Sequence, residues 1–195
     1  SELSGRDPDT RKVDESRIPV AYDTLETALH QIVNKFNLEN FIMIIKSAGF
    51  IQPGMIGSKN ALNFAYALYL RLRADSSLAE GERKRIVRRW FVMSLLTGRH
   101  SGSFEGRWEQ DIRRITSQGA AAYLKQIEES ELSDSYWTVT LPADLETTST
   151  VSPYFQAFLA AQIATGARGF LSKSITVAAM HQQSGDIHHI VPKDY

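Results

Sequence analysis

Apolar residues recur at three- and four-residue spacing in run after run of this sequence, and most of the runs end on a glycine. That pattern constrains the fold more than any other feature. It predicts a succession of amphipathic helices rather than strands, which would alternate with a period of two. Leu25, Leu29, Ile32, Val33 and Phe36 share one helical face, with Asp23 placed as the N-cap and Glu26 three residues on. A second helix is expected from Leu38, burying Phe41, Ile44, Ile45 and Ala48 and stopping at Gly49. After the break at Pro53, Gly54 and Gly57, Ser58 is expected to cap a third helix over Lys59–Ala74. Its apolar residues run almost all round, which places it at the centre of a bundle. A fourth, Glu80–Thr97, points Ile86, Val87, Trp90, Phe91 and Leu95 inward and Arg85, Arg88 and Arg89 outward.

The remaining runs continue the theme. Ser103 is read as the cap of a fifth helix carrying Trp108, Ile112 and Ile115, and a sixth begins near Gly119 with Ala121, Leu124 and Ile127. Tyr136–Leu141 alternates weakly and reads as a short extended piece. Ser152-Pro153 has the cap-then-proline order of a seventh helix start, followed by Phe155, Phe158, Leu159 and Ile163. Ser174–Ala179 and Ile187–Val191, around Ser184-Gly185-Asp186, read as a terminal β-hairpin. The fold expected is therefore mainly α: a multi-helix bundle over residues 21–170, a flexible lead over 1–20, and a short β-hairpin within 171–195. At 195 residues, 43% of them hydrophobic, the chain is long enough for one good core.

Composition then narrows the chemistry. With no cysteine there is no disulfide, no thiolate metal site and no cysteine nucleophile, so histidine and carboxylate are the ligands and bases left. The N-terminal stretch with Arg6, Asp7, Asp9, Arg11 and Lys12 has no signal-peptide core, and no apolar run reaches the roughly 18 residues of a membrane span. A cytoplasmic protein with no membrane partner is expected. A chain that starts on Ser1 and stops at Tyr195 within its most informative stretch is expected to be a piece of a longer protein.

Net charge is zero, yet it is segregated. Arg83–Arg114 holds nine Lys/Arg against three Asp/Glu, whereas Gln126–Glu146 holds six Asp/Glu and no Lys/Arg. Arg85, Arg88, Arg89, Arg99 and Arg107 are the candidates for neutralising a DNA backbone, beside Arg113 and Arg114. The competing reading is a solvated helical face paired with the acidic stretch. Trp90 and Trp108 sit at core spacing and read as packing residues.

The stretch Asp186-Ile187-His188-His189-Ile190-Val191-Pro192-Lys193-Asp194-Tyr195 brings two of the five histidines together. Successive side chains of an extended segment point to opposite faces, so separate roles are more natural than a shared ligand shell. The pattern resembles the opening strand of the HNH (ββα-metal) nuclease motif. By that resemblance His188 is the metal ligand, His189 the general base that activates water, and Asp186 a supporting residue. An imidazole with an ordinary pKa near 6.5 suits that base, and a divalent ion such as Mg²⁺ or Mn²⁺ would stabilise charge on the phosphate.

Two further stretches, Arg89-Trp90-Phe91-Val92-Met93-Ser94-Leu95-Leu96-Thr97-Gly98-Arg99-His100-Ser101-Gly102-Ser103 with Glu109-Gln110-Asp111-Ile112, and Gly166-Ala167-Arg168-Gly169-Phe170-Leu171-Ser172, are similar to the helical region of GmrSD-type modification-dependent restriction endonucleases. The resemblance implies a DNA-cleaving hydrolase of phage defence, with DNA and the rest of the parent protein as partners. It also has gaps. The family's Asp-Gly-Gln-Gln-Arg type motif does not occur, nor does a glycine-rich phosphate loop, so no nucleotide hydrolysis is expected. The Asn and the further His or Asn of an HNH motif do not follow His189, so the motif is truncated and the chain alone is expected to cleave poorly or not at all. The alternative is a non-catalytic helical module that binds DNA or a partner.

Overall fold

The computed structural model describes residues 12–13, 16–147, 149–170 and 172–183. Among them the architecture is helical: α1 (Arg17–Ile32), α2 (Lys35–Ser47), α3 (Lys59–Arg73), α4 (Glu80–Leu96), α5 (Phe104–Gln118), α6 (Ala120–Glu131), α7 (Leu141–Leu145), α8 (Pro153–Ala164) and α9 (Val177–Gln182). No helix among the described residues is long and apolar enough to cross a membrane.

The core is organised around α4, which packs against α2, α3, α6 and α8. The sequence pointed to the third helix as the centre. That helix is α3, and it buries one face, with Ala61, Phe64, Ala65, Leu68, Tyr69 and Leu72, while Leu62, Tyr66 and Leu70 are only half covered. α4 holds the centre because its Arg and Lys side chains are confined to its first three turns. From Trp90 onward Phe91, Met93, Ser94, Leu95 and Leu96 are all enclosed. Aromatic contacts tie the layers together: Phe64 stacks on Trp90 at 5.4 Å, and Phe50 meets Phe91 edge-on at 5.1 Å.

Several local signals act as the sequence indicates. Ser58 accepts a hydrogen bond from the Ala61 amide at 3.2 Å, Pro153 occupies the first turn of α8, and Gly49, Gly98 and Gly166 take positive φ at helix ends. Gly49 matters most. A Cβ there would lie 1.8 Å from the Ala160 carbonyl oxygen, so α8 reaches α4 by laying its backbone on this glycine. Gly49→Ala combines a left-handed φ of 90° with a backbone clash. It should cost about 2–3 kcal/mol, read as a lowered thermal midpoint and early loss of α8 protection in hydrogen exchange.

Other segments differ from the sequence reading. α1 starts at Arg17 rather than after Asp23, because Pro19 falls in the first helical turn, where the missing N–H is an orphan in any case. The residues that the sequence places on one face, Leu25, Leu29, Ile32, Val33 and Phe36, all face solvent. α2 begins at Lys35, since Asn34 caps it by accepting from the Asn37 amide at 3.1 Å. Ser103 makes no side-chain cap at α5. Tyr136–Thr140 is a π-helical turn continuing into α7, not an extended piece. Trp137 Nε1 donates to the Leu132 carbonyl at 2.9 Å and Tyr136 Oη to that of Leu96 at 3.2 Å, which folds the segment onto the end of α4.

The hairpin expectation is corrected in its first half. Only a single antiparallel bridge joins Arg168 and Thr176 among the described residues, and Val177–Gln182 is the helix α9. Thr176 caps it by accepting from the Ala179 amide at 3.2 Å, so a residue read as β-prone acts as a helix start. Ile187–Val191, the second half, lies outside the described residues.

Candidate nucleic-acid interface

The exposed guanidinium groups arise from α4 and α5. Ile86, Val87 and Trp90 fix the inward side of α4, which leaves Arg85, Arg88 and Arg89 on its outer arc. Two of these three are already paired. Arg85 donates to both oxygens of Glu82 at 2.9 and 2.8 Å, and Arg89 forms a two-pronged bridge to Glu128 of α6. The hydrogen bond from Arg85 comes first among the causes that hold the Glu82 carboxyl below its ordinary pKa. Arg88 and Arg107 make no ion pair among the described residues and are fully available to an anion. Arg88 borders a 490 Å³ depression whose floor is Val92, Met93 and the alanines of α8, with the half-exposed Trp137 at its edge. Arg107 borders a smaller polar one of 410 Å³ beside Ser101 and Ser103.

Arg99 lines the same polar depression as Arg107 but is itself buried. Its side chain is 3% exposed and its Nη2 lies 2.6 Å from Asp111 Oδ1, with a second bond from Nε to Oδ2 at 3.0 Å. Nη1 pairs with Glu131, and Tyr123 Oη lies 3.1 Å from Nη2. Most of the guanidinium is thus engaged by Asp111, Glu131 and Tyr123, unlike the exposed groups of Arg88 and Arg107.

The network around Arg99 is the feature the sequence reading missed. Asp111 is fully buried and accepts from Arg99, from Tyr123 Oη at 3.0 Å and from His100 Nε2 at 3.1 Å. A carboxylate only accepts, so His100 carries its proton on Nε2. Burial alone would raise the Asp111 pKa. The bonds from His100, Arg99 and Tyr123, with the Arg99 charge, outweigh it and hold the carboxyl below the usual range. Tyr123 is pushed up, first by burial and then by the Asp111 charge. The His100 ring packs on Phe64 at 4.5 Å and meets Trp108 edge-on, so the loop after α4 is locked into the aromatic core. A signal was present. On α5 the spacing Trp108, Asp111, Ile115 is the core-facing one, and it puts a carboxylate where Ile112 had been expected; Ile112 is 42% exposed.

His188, His189 and Asp186 lie outside the described residues. Among the described residues no three His, Asp or Glu side chains are grouped to hold a metal ion. The last described helix, α9, is tethered to the body where Gln52 Nε2 donates to the His181 carbonyl at 3.0 Å. Compared with known protein families, with curated proteins and with solved structures, the chain matches none of them.

Proposed function

We propose that this chain is the helical body of a metal-dependent DNA endonuclease of the modification-dependent restriction type, carrying the opening strand of an HNH site. The observation that carries the reading is the run Asp186-Ile187-His188-His189-Ile190-Val191-Pro192, a ligand and a base side by side in a β-prone stretch. His188 would hold Mg²⁺ or Mn²⁺, and His189 would take the proton of the attacking water. Asp186 would orient the pair. What the HNH pattern further requires after His189, an Asn and a second His or Asn, does not occur in residues 190–195. The test is plasmid nicking with each metal, by this chain and by a version continued into whatever coding sequence follows Tyr195. Nicking by the continued version, abolished by a chelator, supports the reading; inertness with every metal removes it.

DNA contact is a separate part of the proposal, supported by the available guanidinium groups of Arg88 and Arg107 and by the exposed, though paired, Arg85 and Arg89. Reversing Arg88 and Arg107 to Glu should weaken duplex binding and flatten the dependence of log K on log salt by roughly 2, because about one counterion per phosphate contact is no longer released. Arg85→Glu should do less, since Glu82 already neutralises that residue. Equal affinity and slope in the reversed protein would leave these arginines as a solvated helical face.

A further inference from the structure

α1 is exposed along nearly its whole length and packs mainly on α2, with its apolar row on the side away from the body. The residues it presents to the 1370 Å³ groove beside α3, α5 and α6 are Val20, Asp23, Thr24, Thr27 and Ala28. On a helix of 3.6 residues per turn the opposite face is Ile18, Tyr22, Leu25, Leu29 and Ile32. These five residues are separated by alternating steps of four and three, the a/d spacing of a pairing helix, and each is between 40% and 64% exposed.

The seam is also shaped for a helix. A depression of 330 Å³ along it is lined by Tyr22, Leu25, Glu26, Leu29, His30 and Val33. Tyr22, Leu25, Glu26 and Leu29 stand at i, i+3, i+4 and i+7, the four residues that form one hole for a knob of a facing helix. Glu26, Leu29, His30 and Val33 form the next. The direction of the seam is fixed by the corner that follows. Buried Asn37 donates to the Gln31 carbonyl at 2.9 Å and Tyr66 Oη to that of Ile32 at 2.8 Å, so α1 is held at its C-terminal end.

From these observations we infer that α1 pairs with α1 of a second copy of this chain. A membrane surface is a poor occupant, because no Lys or Arg occurs between Arg17 and Lys35 while Asp23 and Glu26 do. The same lack of cations argues against nucleic acid on this side. Self-pairing suits the row in either direction: parallel, each seam residue meets its own copy; antiparallel, Tyr22 meets Ile32 and Leu25 meets Leu29. Val33, 67% exposed, adds to the row at its C-terminal end. The chain's zero net charge leaves no long-range repulsion between copies.

Sedimentation equilibrium across the micromolar range tests this without reference to nuclease activity. The mass should rise from 21.9 kDa to twice that value. Leu25→Glu with Leu29→Glu should raise the dissociation constant at least about 100-fold with helicity unchanged, since both positions face solvent within one copy. Val139→Glu, exposed elsewhere, should leave the dimer intact. Because the chain has no cysteine, Leu25→Cys and Leu29→Cys report the contact directly: each bridges to itself in a parallel pair, and the two bridge to one another in an antiparallel pair. A monomer at every concentration, a dimer that survives both glutamates, or a dimer in which neither cysteine bridges overturns the inference.

Discussion

Replacing Asp111 with alanine is expected to destabilise the protein by about 3–5 kcal/mol, the usual loss when one partner of a buried ion pair is removed and the other charge stays inside. In a chain of this size that corresponds to a thermal midpoint lowered by roughly 10 °C or more. The cause is what remains: the Arg99 guanidinium, 3% exposed, would lose two hydrogen bonds, and Tyr123 and His100 one each. Glu131, about one-third exposed, cannot take over the whole charge from its position at the rim. Removing Arg99 and Asp111 together, as Arg99→Met with Asp111→Ala, should cost less than the two single changes added, because no buried charge is stranded. Acid should act on the same group. The folded-state Asp111 pKa lies below its unfolded value, so its stabilisation is complete above about pH 4 and is lost as pH falls through the folded pKa. Asp111→Asn should remove that part of the acid dependence. A thermal midpoint within a degree or two of wild type for Asp111→Ala would show that the network does not hold the fold.

The second large effect concerns activity under the proposed function. In a nicking-competent version, His189→Ala should reduce the rate by about 10²–10⁴-fold, the range for a lost general base, while melting temperature and duplex affinity stay as they were. His188→Ala should instead weaken the response to metal concentration, with excess Mn²⁺ restoring part of the rate. A nuclease that ignores His189→Ala would place the base elsewhere and remove the HNH reading of this stretch.

Much of the helical framework is legible in the sequence because each helix carries its own punctuation. Ser58, Gly49, Gly98 and the Ser152-Pro153 pair act over a few residues, and local signals of that kind survive whatever the tertiary structure does. The buried face of α4 is legible for the same reason, since Arg85, Arg88 and Arg89 leave one arc for the core. What periodicity does not give is the direction in which a face points. The row from Leu25 to Phe36 shares one face in the sequence pattern, and that face meets solvent rather than the body. Arg99 failed in the opposite sense. An arginine in a polar loop reads as surface, and its burial depends on a carboxylate and a phenol from two other helices, Asp111 and Tyr123, which no local pattern joins to it. Tyr136–Leu141 and Ser174–Ala179 failed through β-branched composition, overridden by tertiary hydrogen bonds in one case and by the Thr176 cap in the other.

The contact of α8 with Gly49 bears on how the protein is made as well as how it stands. A chain synthesised from its N-terminus can assemble α2, α3 and α4 early, but the side of α4 that faces Ala160 stays bare until α8 has emerged. At about 5–20 residues per second that interval is on the order of ten seconds. During it Phe50, Met93 and Leu96 would be presented to solvent as an unfinished surface. Slow codons between the α6 and α8 coding regions would lengthen the exposure, and a holdase chaperone would find its substrate there.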